Sequence, residues 1–467
     1  MRFEELRKKY PKFVYQGYSY RISDRNLEIF FEFRIGSEFI FNPKITIENI
    51  DKKRLEGIKI ETLDNLVFNL GMIEALSYWK ATCSPLIEIK CGFLNAGQVK
   101  WWKDLMEKGL GQFFYENKID FDFDSLRILS DMTKKFVKTD KIELKNRVLA
   151  PIGGGKDSIV TFEVLKETKN ELSSFCLNPT GTAMRVIKGI GCRNFIIIRR
   201  EIDKKLLELN RAGFLNGHTP FSAYLSFLSI LIAVIFNYRY VAISQESSSN
   251  EGNVKYLGKI INHQYSKTFD FEKRFKDYCK KYLVEDFGYF SFLRPLNEIQ
   301  IARIFADFPK FFPIFMSCNE AYKTASGTKK PTGKWCGNCS KCLFAWLILY
   351  PFVEKSRMEK IFNQDLFGNK NLLNILKELI GEKGIKPFEC VGTHEEVLVA
   401  LYLSWKKEKE ASPHLSSLPI LLGYFEKEIL PKYGEKTLEK KSKAILESWN
   451  KRHNLPKNFE KILKDAN

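Results

Sequence analysis

One run organises this 467-residue chain: Arg147-Val148-Leu149-Ala150-Pro151-Ile152-Gly153-Gly154-Gly155-Lys156-Asp157-Ser158-Ile159-Val160. Its apolar start predicts a buried strand, and the residues after the three glycines begin a helical pattern. Adjacent glycines let backbone N–H groups approach an anion without Cβ interference. The start of the following helix adds unpaired donors and the positive end of the helix dipole. The run therefore predicts a phosphate-binding turn between a strand and a helix.

Two common phosphate motifs do not fit this run. A Walker A loop needs glycine at Ala150 and serine or threonine at Asp157, and a dinucleotide fingerprint needs glycine at Ser158. The run instead resembles the PP-loop of ATP pyrophosphatases, Ser-Gly-Gly-x-Asp-Ser, with Gly153 in place of the leading serine. That resemblance implies cleavage of ATP to AMP and pyrophosphate. On the loop alone, a glycine-rich turn that merely closes a strand is the alternative.

The composition is that of a globular protein with a basic surface. A hydrophobic content of 44% suffices for two or three cores. A net charge of +19 suits polyanionic partners, whether nucleic acid, anionic lipid or a small phosphorylated substrate. The basic residues are scattered, which argues against a nucleic-acid-binding arm. No signal peptide is evident, so we expect a cytoplasmic protein whose ten cysteines are thiols or metal ligands.

Residues 219–238 carry no charge and are long enough to cross a bilayer. A strand-like run at 240–243 follows directly and leads into a polar loop that should share a site with the glycine loop. A membrane span would place these two loops on opposite sides. We therefore predict a buried helix and no membrane span.

Strand and helix patterns alternate after the glycine loop. Strands are predicted at 174–177, 195–198 and 240–244, and helices at 181–190 and 219–237. This alternation indicates an α/β fold with a parallel sheet and helices on both faces. The PP-loop resemblance implies a sheet of the HUP-like type. Ligands of such sheets bind beyond the carboxyl ends of the strands. Polar residues follow the strands there, namely Asn178, Arg199, Arg200 and residues 244–250.

Three regions are expected. Residues 1–145 form an N-terminal α+β domain with about three antiparallel strands, two helices near 66–78 and 99–115, and a connector at 118–146. Residues 146–345 form the ATP-binding α/β domain, and residues 346–467 a helical region whose charged end caps the protein.

Three cysteines, Cys336, Cys339 and Cys342, have C-x2-C-x2-C spacing, and Cys318 precedes them by 18 positions. Four thiolates can form a closed, tetrahedral structural zinc site. The spacing also suits an iron–sulfur cluster, which is the main alternative. Unliganded buried thiols are a third interpretation.

Four other polar clusters interrupt apolar surroundings. They contain His218 in residues 216–220, His263 in residues 262–268, Arg294 in residues 290–296, and Cys390 in residues 386–392. Each could also be a capping residue, a surface residue or part of an ordinary loop. Two of only five histidines lie in such clusters, which makes a functional role as reasonable as a structural one.

The glycine loop with the cysteine cluster resembles the 7-cyano-7-deazaguanine synthase branch of PP-loop enzymes. A closer resemblance covers nearly the whole chain, to the MurL family of UDP-N-acetylmuramoyl-L-alanyl-L-glutamate epimerases. Gln245, where asparagine is expected, and a background rich in lysine and phenylalanine depart from that family. The blocks that carry the resemblance are Ser77-Tyr78-Trp79-Lys80, Gly109-Leu110-Gly111-Gln112-Phe113, residues 153–158, Asn216-Gly217-His218, residues 262–267, residues 291–298, Ser317-Cys318-Asn319, residues 336–342 and residues 386–392.

This resemblance implies ATP-dependent epimerisation of the terminal L-glutamate of UDP-MurNAc-L-Ala-L-Glu to D-glutamate. The reaction would pass through an acyl-adenylate and release AMP and pyrophosphate, in peptidoglycan precursor synthesis. The partner would then be a small UDP-linked muramoyl dipeptide rather than a nucleic acid. ATP, Mg²⁺ and a structural Zn²⁺ are the implied cofactors.

The resemblance also implies roles for individual residues. Gly153, Gly154, Gly155, Lys156, Asp157 and Ser158 would bind ATP, and Asp157 with Glu246 would hold magnesium. His218, His263 and Cys390 would be candidates for proton transfer, with Lys267 in the catalytic group. Arg294 or Lys267 would anchor a substrate phosphate or carboxylate, and Asn216, Asn262 and Gln264 would contact the substrate.

Two other functions remain open from the sequence. One is a nucleobase- or tRNA-modifying PP-loop enzyme, which the net charge favours. The other is a nucleotide-binding module without enzymatic activity, which the many polar side chains beyond the loop argue against.

Overall fold

The structure, a computed structural model, describes residues 3–133, 142–322, 333–411 and 417–467. Within these residues, eleven strands form one sheet and two more form a hairpin. The strands are β1 Lys12–Ser23, β2 Asn26–Ile35, β3 Phe39–Phe41, β4 Lys44–Ile47, β5 Leu86–Ile89, β6 Arg127–Ser130, β7 Arg147–Pro151, β8 Glu171–Leu177, β9 Phe195–Glu201, β10 Tyr240–Ile243, β11 Val254–Tyr256, β12 Lys259–Ile261 and β13 Gly288–Ser291.

Helices surround the sheet and make up the C-terminal region. They are α1 Phe3–Lys9, α2 Lys52–Glu56, α3 Ile60–Trp79, α4 Ala96–Gly109, α5 Gly111–Glu116, α6 Lys156–Leu165, α7 Gly181–Ile190, α8 Lys204–Arg211, α9 Phe221–Phe236, α10 Phe269–Tyr282, α11 Glu298–Ala306, α12 Asn319–Tyr322, α13 Ser340–Leu349, α14 Lys355–Phe362, α15 Leu373–Leu379, α16 His394–Ala411, α17 Ile420–Tyr424, α18 Leu430–Tyr433, α19 Glu435–Leu446 and α20 Lys457–Ala466.

The strands of the large sheet run in the order β13-β10-β7-β8-β9-β4-β2-β1-β5-β6, with β3 paired to β2. The first five are parallel, and the antiparallel strands β4, β2 and β1 connect them to β5 and β6. The expected mixed α/β fold with a mainly parallel sheet is therefore confirmed. Strands from both sides of residue 145 share this sheet, and the predicted division into three domains stays a prediction.

Alternate residues of β7 serve two hydrophobic cores, because helices cover both faces of the sheet. Leu149 belongs to the core beneath α3 and α9, whereas Val148 and Ala150 belong to the core beneath α6, α11 and α13. This arrangement leaves the carboxyl ends of the parallel strands at one open edge, where the glycine loop emerges.

The local patterns predicted some elements well and missed others. Helix α7 has the predicted bounds, whereas the helix expected over 99–115 is two helices, α4 and α5. Gly109, the last residue of α4, allows close packing there, since a Cβ on it would approach Pro220 to 3.0 Å. Part of the predicted connector forms β6, and its residues 134–141 lie outside the described residues.

The apolar stretch 219–238 forms α9, which has only 16 residues and lies almost entirely within the first core. Among the described residues, no helix has both the length and the hydropathy needed to cross a membrane. The prediction of a buried helix is confirmed.

The C-terminal region is helical, as predicted, but it is more than a solvated cap. Leu438, Phe459 and Leu463 are fully buried in the second core. The Asn454 amide also donates to Glu272 at 3.0 Å. The end of the chain thus packs against the elements that carry the site described below.

One buried ion pair connects α3 to the end of β9. The Arg200 guanidinium donates twice to the Glu74 carboxylate, at 2.8 Å each, and the Glu74 side chain is fully buried. Arg200 therefore has a structural partner at the strand end where the sequence predicts polar residues.

We predict that Glu74→Gln lowers the free energy of unfolding by about 3–5 kcal/mol, because it leaves a buried guanidinium without its counterion. Urea denaturation measures the change. The matched control is Glu439→Gln, which removes an exposed partner of Lys406 and should cost about 1 kcal/mol or less. Equal losses in the two variants would contradict the structural role of the pair.

Candidate active site

The glycine loop between β7 and α6 is shaped for close approach. Gly154 has a φ of +98°, and a Cβ there would meet Thr182 Cγ2 at 3.1 Å and the Ala183 backbone nitrogen at 3.3 Å. A Cβ on Gly153 would meet no described atom within 4 Å. The loop thus packs against the start of α7 on one side and is open on the other. The amino ends of α6 and α7 both lie beside it, which suits an anion.

Three carboxylates meet beside the glycine loop. Oxygen atoms of Asp157, Glu246 and Glu298 lie within 4.8 Å of one another, and both glutamates are buried. The Lys156 ammonium contacts Asp157 and Glu298. Burial and the charge of Asp157 raise the pKa of Glu298 to about 7, although Lys156 opposes them. Oxygen donors of this kind fit a hard divalent cation such as Mg²⁺.

The sequence analysis assigned a magnesium-binding role to Asp157 and Glu246 but not to Glu298, which it placed only in a block of family resemblance. Glu298 begins α11, shortly after β13, and the sequence analysis assigned no strand there. The missed signal is another carboxylate that follows a short apolar strand. It lies at the same sheet edge because β13 pairs in parallel with β10.

A half-buried lysine and a half-buried cysteine form a polar pair next to these carboxylates. Lys267 Nζ lies 3.1 Å from Cys390 Sγ. Burial alone raises the pKa of the Cys390 thiol. The charge of Lys267 and a hydrogen bond from His263 outweigh burial and hold this pKa well below its usual range. These contacts favour the thiolate of Cys390, the form of cysteine that accepts protons.

Gln112 fixes the orientation of His263. Its amide nitrogen donates to Glu116 at 2.7 Å, and a carboxylate can only accept. Its amide oxygen must then face His263 Nδ1, which lies 2.5 Å away. His263 therefore carries a proton on Nδ1 and presents Nε2 elsewhere. The sequence analysis assigned no role to Gln112, because its partner His263 is 151 positions away in the chain.

His218 lies against His263, with ring centroids 4.7 Å apart. Burial lowers the pKa of His218 well below its usual range, and the nearby charges of His263 and Lys80 lower it further. His218 is therefore a neutral imidazole at neutral pH. The structure thus brings together all three predicted proton-transfer candidates, together with Lys267.

The predicted substrate contacts have different surroundings. Asn262 bonds the Ser249 carbonyl at 2.9 Å and accepts from the Gln264 backbone at 2.7 Å, so its amide shapes the loop. Gln264 is buried, and its Oε1 has no hydrogen-bond partner in the described part of the chain. Asn216 is exposed. Direct contact of these residues with substrate stays a prediction.

Arg294 lies beneath the site and is fully buried. It forms an ion pair with Glu272 at 3.2 Å. It also donates to the backbone carbonyls of Glu246 and Lys267. These bonds hold two site residues in place. Positioning is the role that this geometry supports, and direct contact of Arg294 with substrate stays a prediction.

The four cysteines of the predicted metal cluster converge. Their sulfur atoms lie within 4.8 Å of one another, with separations of 3.5 Å, 3.6 Å and 3.9 Å for three of the pairs. With Zn–S bonds of about 2.3 Å, a tetrahedral ion requires sulfurs roughly 3.8 Å apart. Backbone N–H groups of Gly337 and Asn338 also point at sulfur atoms. The set fits a single tetrahedral ion.

The cysteine cluster is connected to Cys390. Lys341, between the cluster's last two cysteines, donates its backbone N–H to Glu389 at 2.6 Å. Its ammonium contacts the Cys390 carbonyl. The cluster thus braces the loop that carries the thiolate.

Comparison with known proteins agrees with this arrangement. The MurL N-terminal domain profile matches residues 4–292, and the MurL C-terminal domain profile matches residues 314–418. The chain belongs to the MurL family. Both histidines fall in the first matched region, and Cys390 and the four clustered cysteines fall in the second. The candidate site is therefore built from both parts of the family's sequence.

Three relatives carry the name UDP-N-acetyl-alpha-D-muramoyl-L-alanyl-L-glutamate epimerase. The Salinispora tropica protein is 31% identical over 429 residues, 89% of this chain and 90% of the relative. The Micromonospora protein is 32% identical over 352 residues, 74% of this chain and 75% of the relative. The Xanthomonas oryzae protein is 31% identical over 369 residues, 76% of this chain and 78% of the relative.

We predict that iodoacetamide alkylates Cys390 at a rate nearly independent of pH between about pH 7 and pH 9, because its thiol is already ionised. Lys267→Met removes the main stabilising charge, so the pKa rises and the rate should increase with pH over this range. Peptide mass spectrometry follows the reaction, with glutathione as the reference thiol. A wild-type rate that rises with pH as steeply as that of glutathione would contradict the assignment.

Proposed function

We propose that this protein is an ATP-dependent epimerase that converts the terminal L-glutamate of UDP-MurNAc-L-Ala-L-Glu to D-glutamate. The names of its relatives supply the substrate. The observation that carries the proposal is the continuity of the site. Lys267 pairs with Cys390. Burial lowers the pKa of Lys267, but the charges of Cys390 and then Glu246 raise it above its usual value, so Lys267 stays protonated. Lys267 thereby joins the proton-transfer groups to the phosphate-binding edge.

ATP has a clear chemical purpose in such an epimerase. A free carboxylate makes the neighbouring α-proton almost non-acidic, because removing it places a second negative charge beside the first. Converting the α-carboxylate to an acyl-adenylate cancels the first charge and leaves an electron-poor carbonyl. A side chain can then remove the α-proton at neutral pH.

The proposed sequence has three steps. A carboxylate oxygen attacks the α-phosphorus of ATP, and the bond to pyrophosphate breaks while the glycine loop and the amino end of α6 hold the leaving group. One side chain removes the α-proton and another returns a proton to the opposite face. Water then attacks the acyl carbon and releases AMP with the inverted residue.

We assign the proton-transfer roles to Cys390 and His218. Lys267 and His263 hold the pKa of Cys390 well below its usual range, so its thiolate can remove the α-proton. His218, a neutral imidazole, first takes up a proton from solvent and then returns it to the opposite face. His263 contacts both groups, and Gln112 holds its orientation. Lys267 keeps the thiolate charged.

Two metal sites complete the proposal. Asp157, Glu246 and Glu298 would hold Mg²⁺, which neutralises phosphate charge during ATP binding. The four clustered cysteines would hold Zn²⁺, which contributes folding energy. Their short sulfur separations support one ion, since cysteines of an iron–sulfur cluster bind different irons and lie farther apart.

Incubation of the purified protein with ATP and the L,L-substrate in D2O tests the proposal. We expect AMP, pyrophosphate and a D-glutamyl product with deuterium at its α-carbon, and no deuterium without ATP. Asp157→Ala should abolish turnover while the fold is retained, because Lys156 keeps Glu298 as its counterion and a first-turn carboxylate stabilises a helix by only about 1 kcal/mol. ADP as the product, or inversion without ATP, would contradict the proposal.

The same assay tests the proton-transfer groups. Cys390→Ser and His218→Asn should each reduce inversion by about a hundredfold or more, the lower range for general acid–base catalysis. Either variant can still exchange deuterium on one face, which distinguishes a lost base from a lost binding contact. His263→Asn should weaken proton transfer by both Cys390 and His218, because His263 contacts both groups. Inversion at the wild-type rate in all three variants would refute these roles.

We predict one tightly bound zinc per chain. Metal analysis should return zinc near equimolar, and Cys339→Ser should give insoluble or unstable protein, because structural zinc contributes folding energy directly. Cys192→Ser, outside the cluster, is the matched control and should stay soluble. A soluble and fully active Cys339→Ser protein would show that the cluster is dispensable.

A further inference from the structure

A second polar cavity lies at the same edge of the sheet as the glycine loop. It has a volume of about 200 Å³ and opens beyond the carboxyl end of β9. Strand β9 is two strands from β7, which places the cavity about 10 Å across the sheet from the glycine loop. The proposed chemical steps use none of its lining residues, and one of them, Asn216, is a predicted substrate contact.

The cavity is cationic. Lys80 and Arg200 line it, and the buried carboxylate of Glu74 pairs with Arg200. Arg200 uses Nε and Nη2 for Glu74 and Ser77, and among the described residues Nη1 has no hydrogen-bond partner. Burial and then the charge of Arg200 lower the pKa of Lys80 to about 8. The Lys80 ammonium contacts neutral oxygen atoms of Gly217 and Thr219, and the charge of Glu116 offsets its desolvation only in part. An anion in the cavity would supply a closer counterion.

The mouth of the cavity is apolar. Ile202 and Phe221 line it and are 40% and 48% exposed, which makes them two of the more exposed large apolar side chains of the described chain. A flat ring can stack on Phe221 while phosphates reach the two cations. Phosphate-binding cations with an exposed aromatic ring are the elements that recognise a nucleotide.

We infer that this cavity binds the nucleoside diphosphate end of the substrate, an inference that rests on the proposed function. The substrate is long, with the reacting glutamate at one end and UDP at the other. From the glycine loop, contacts run through Lys267 and Cys390 to His263 and His218, and the cavity begins beside His218. The cationic cavity thus lies where the anionic end of a substrate bound along this line would arrive.

Lys80 also connects the cavity to the histidines. Its ammonium contacts the Gly217 carbonyl and donates to Thr219 Oγ1 at 2.9 Å, on either side of His218 in the chain. A diphosphate bound to Lys80 would therefore tighten the segment that carries His218. Recognition of the nucleotide end would position a proton-transfer group at the other end.

The test compares Ile202→Glu with Ile202→Gln in the full-length protein. A carboxylate at position 202 would compete for Lys80 and Arg200, whereas the amide has a similar size and no charge. We expect Ile202→Glu to weaken UDP binding by tenfold or more in calorimetry and to raise KM for the UDP-linked substrate similarly, with a smaller change in kcat. Ile202→Gln should have less than a threefold effect on both.

Two further variants locate the binding. Ile420→Glu introduces the same charge at another exposed isoleucine and should change neither UDP affinity nor KM. Asp157→Ala, at the glycine loop, should leave UDP affinity unchanged, which separates this cavity from the ATP site. Uridine should bind more weakly than UDP, because it lacks the phosphates that would contact Lys80 and Arg200.

Different experimental results would contradict the inference about the cavity and the proposed epimerase function. If the wild-type protein epimerises its substrate but Ile202→Glu has unchanged UDP affinity and KM, the cavity is not the nucleotide site. If the wild-type protein does not epimerise, UDP calorimetry still decides the cavity: selective loss in Ile202→Glu supports it, and no UDP binding overturns it.

Discussion

A single buried guanidinium holds the candidate site in shape. Arg294 is fully desolvated, and its donors reach Glu272 and the backbone carbonyls of Glu246 and Lys267. A guanidinium is always charged, so burying it requires this many acceptors, and each acceptor becomes fixed in turn. Arg294 donates to the backbone carbonyl of Glu246, a proposed magnesium ligand, and to that of Lys267, whose charge lowers the pKa of Cys390. Arg294 therefore holds the proposed phosphate-binding residues in position relative to the proposed proton-transfer residues, and it can do so without contacting the substrate.

The site also depends on a second brace, from the C-terminal half of the chain. The four-cysteine cluster fixes the start of α13, and Lys341 there bonds the backbone that carries Glu389 and Cys390. The thiolate is thus supported by the cysteine cluster from one side and by Lys267 from the other. In the proposed mechanism, a metal ion bound by the four cysteines would therefore act indirectly, by aligning the loop that carries Cys390.

Local sequence patterns predicted the glycine loop, helix α7 and the cysteine cluster, because each feature depends on residues close together in the chain. Glu298 could not be predicted in the same way, since its place beside Asp157 depends on the parallel pairing of β13 with β10. The contact of Gln112 with His263 spans 151 positions and leaves no local signal. Local polar clusters and the family resemblance both pointed to the histidines and Cys390, but only the fold shows that they share a site.

The account's central claim is that the α-carboxylate of glutamate is activated by transfer of AMP before inversion. The most direct test uses substrate labelled with ¹⁸O in that carboxylate. Attack on the α-phosphorus followed by hydrolysis at the acyl carbon leaves one substrate oxygen on phosphorus, so mass spectrometry should find AMP with a single ¹⁸O. Unlabelled AMP formed during inversion of labelled substrate would contradict the acyl-adenylate.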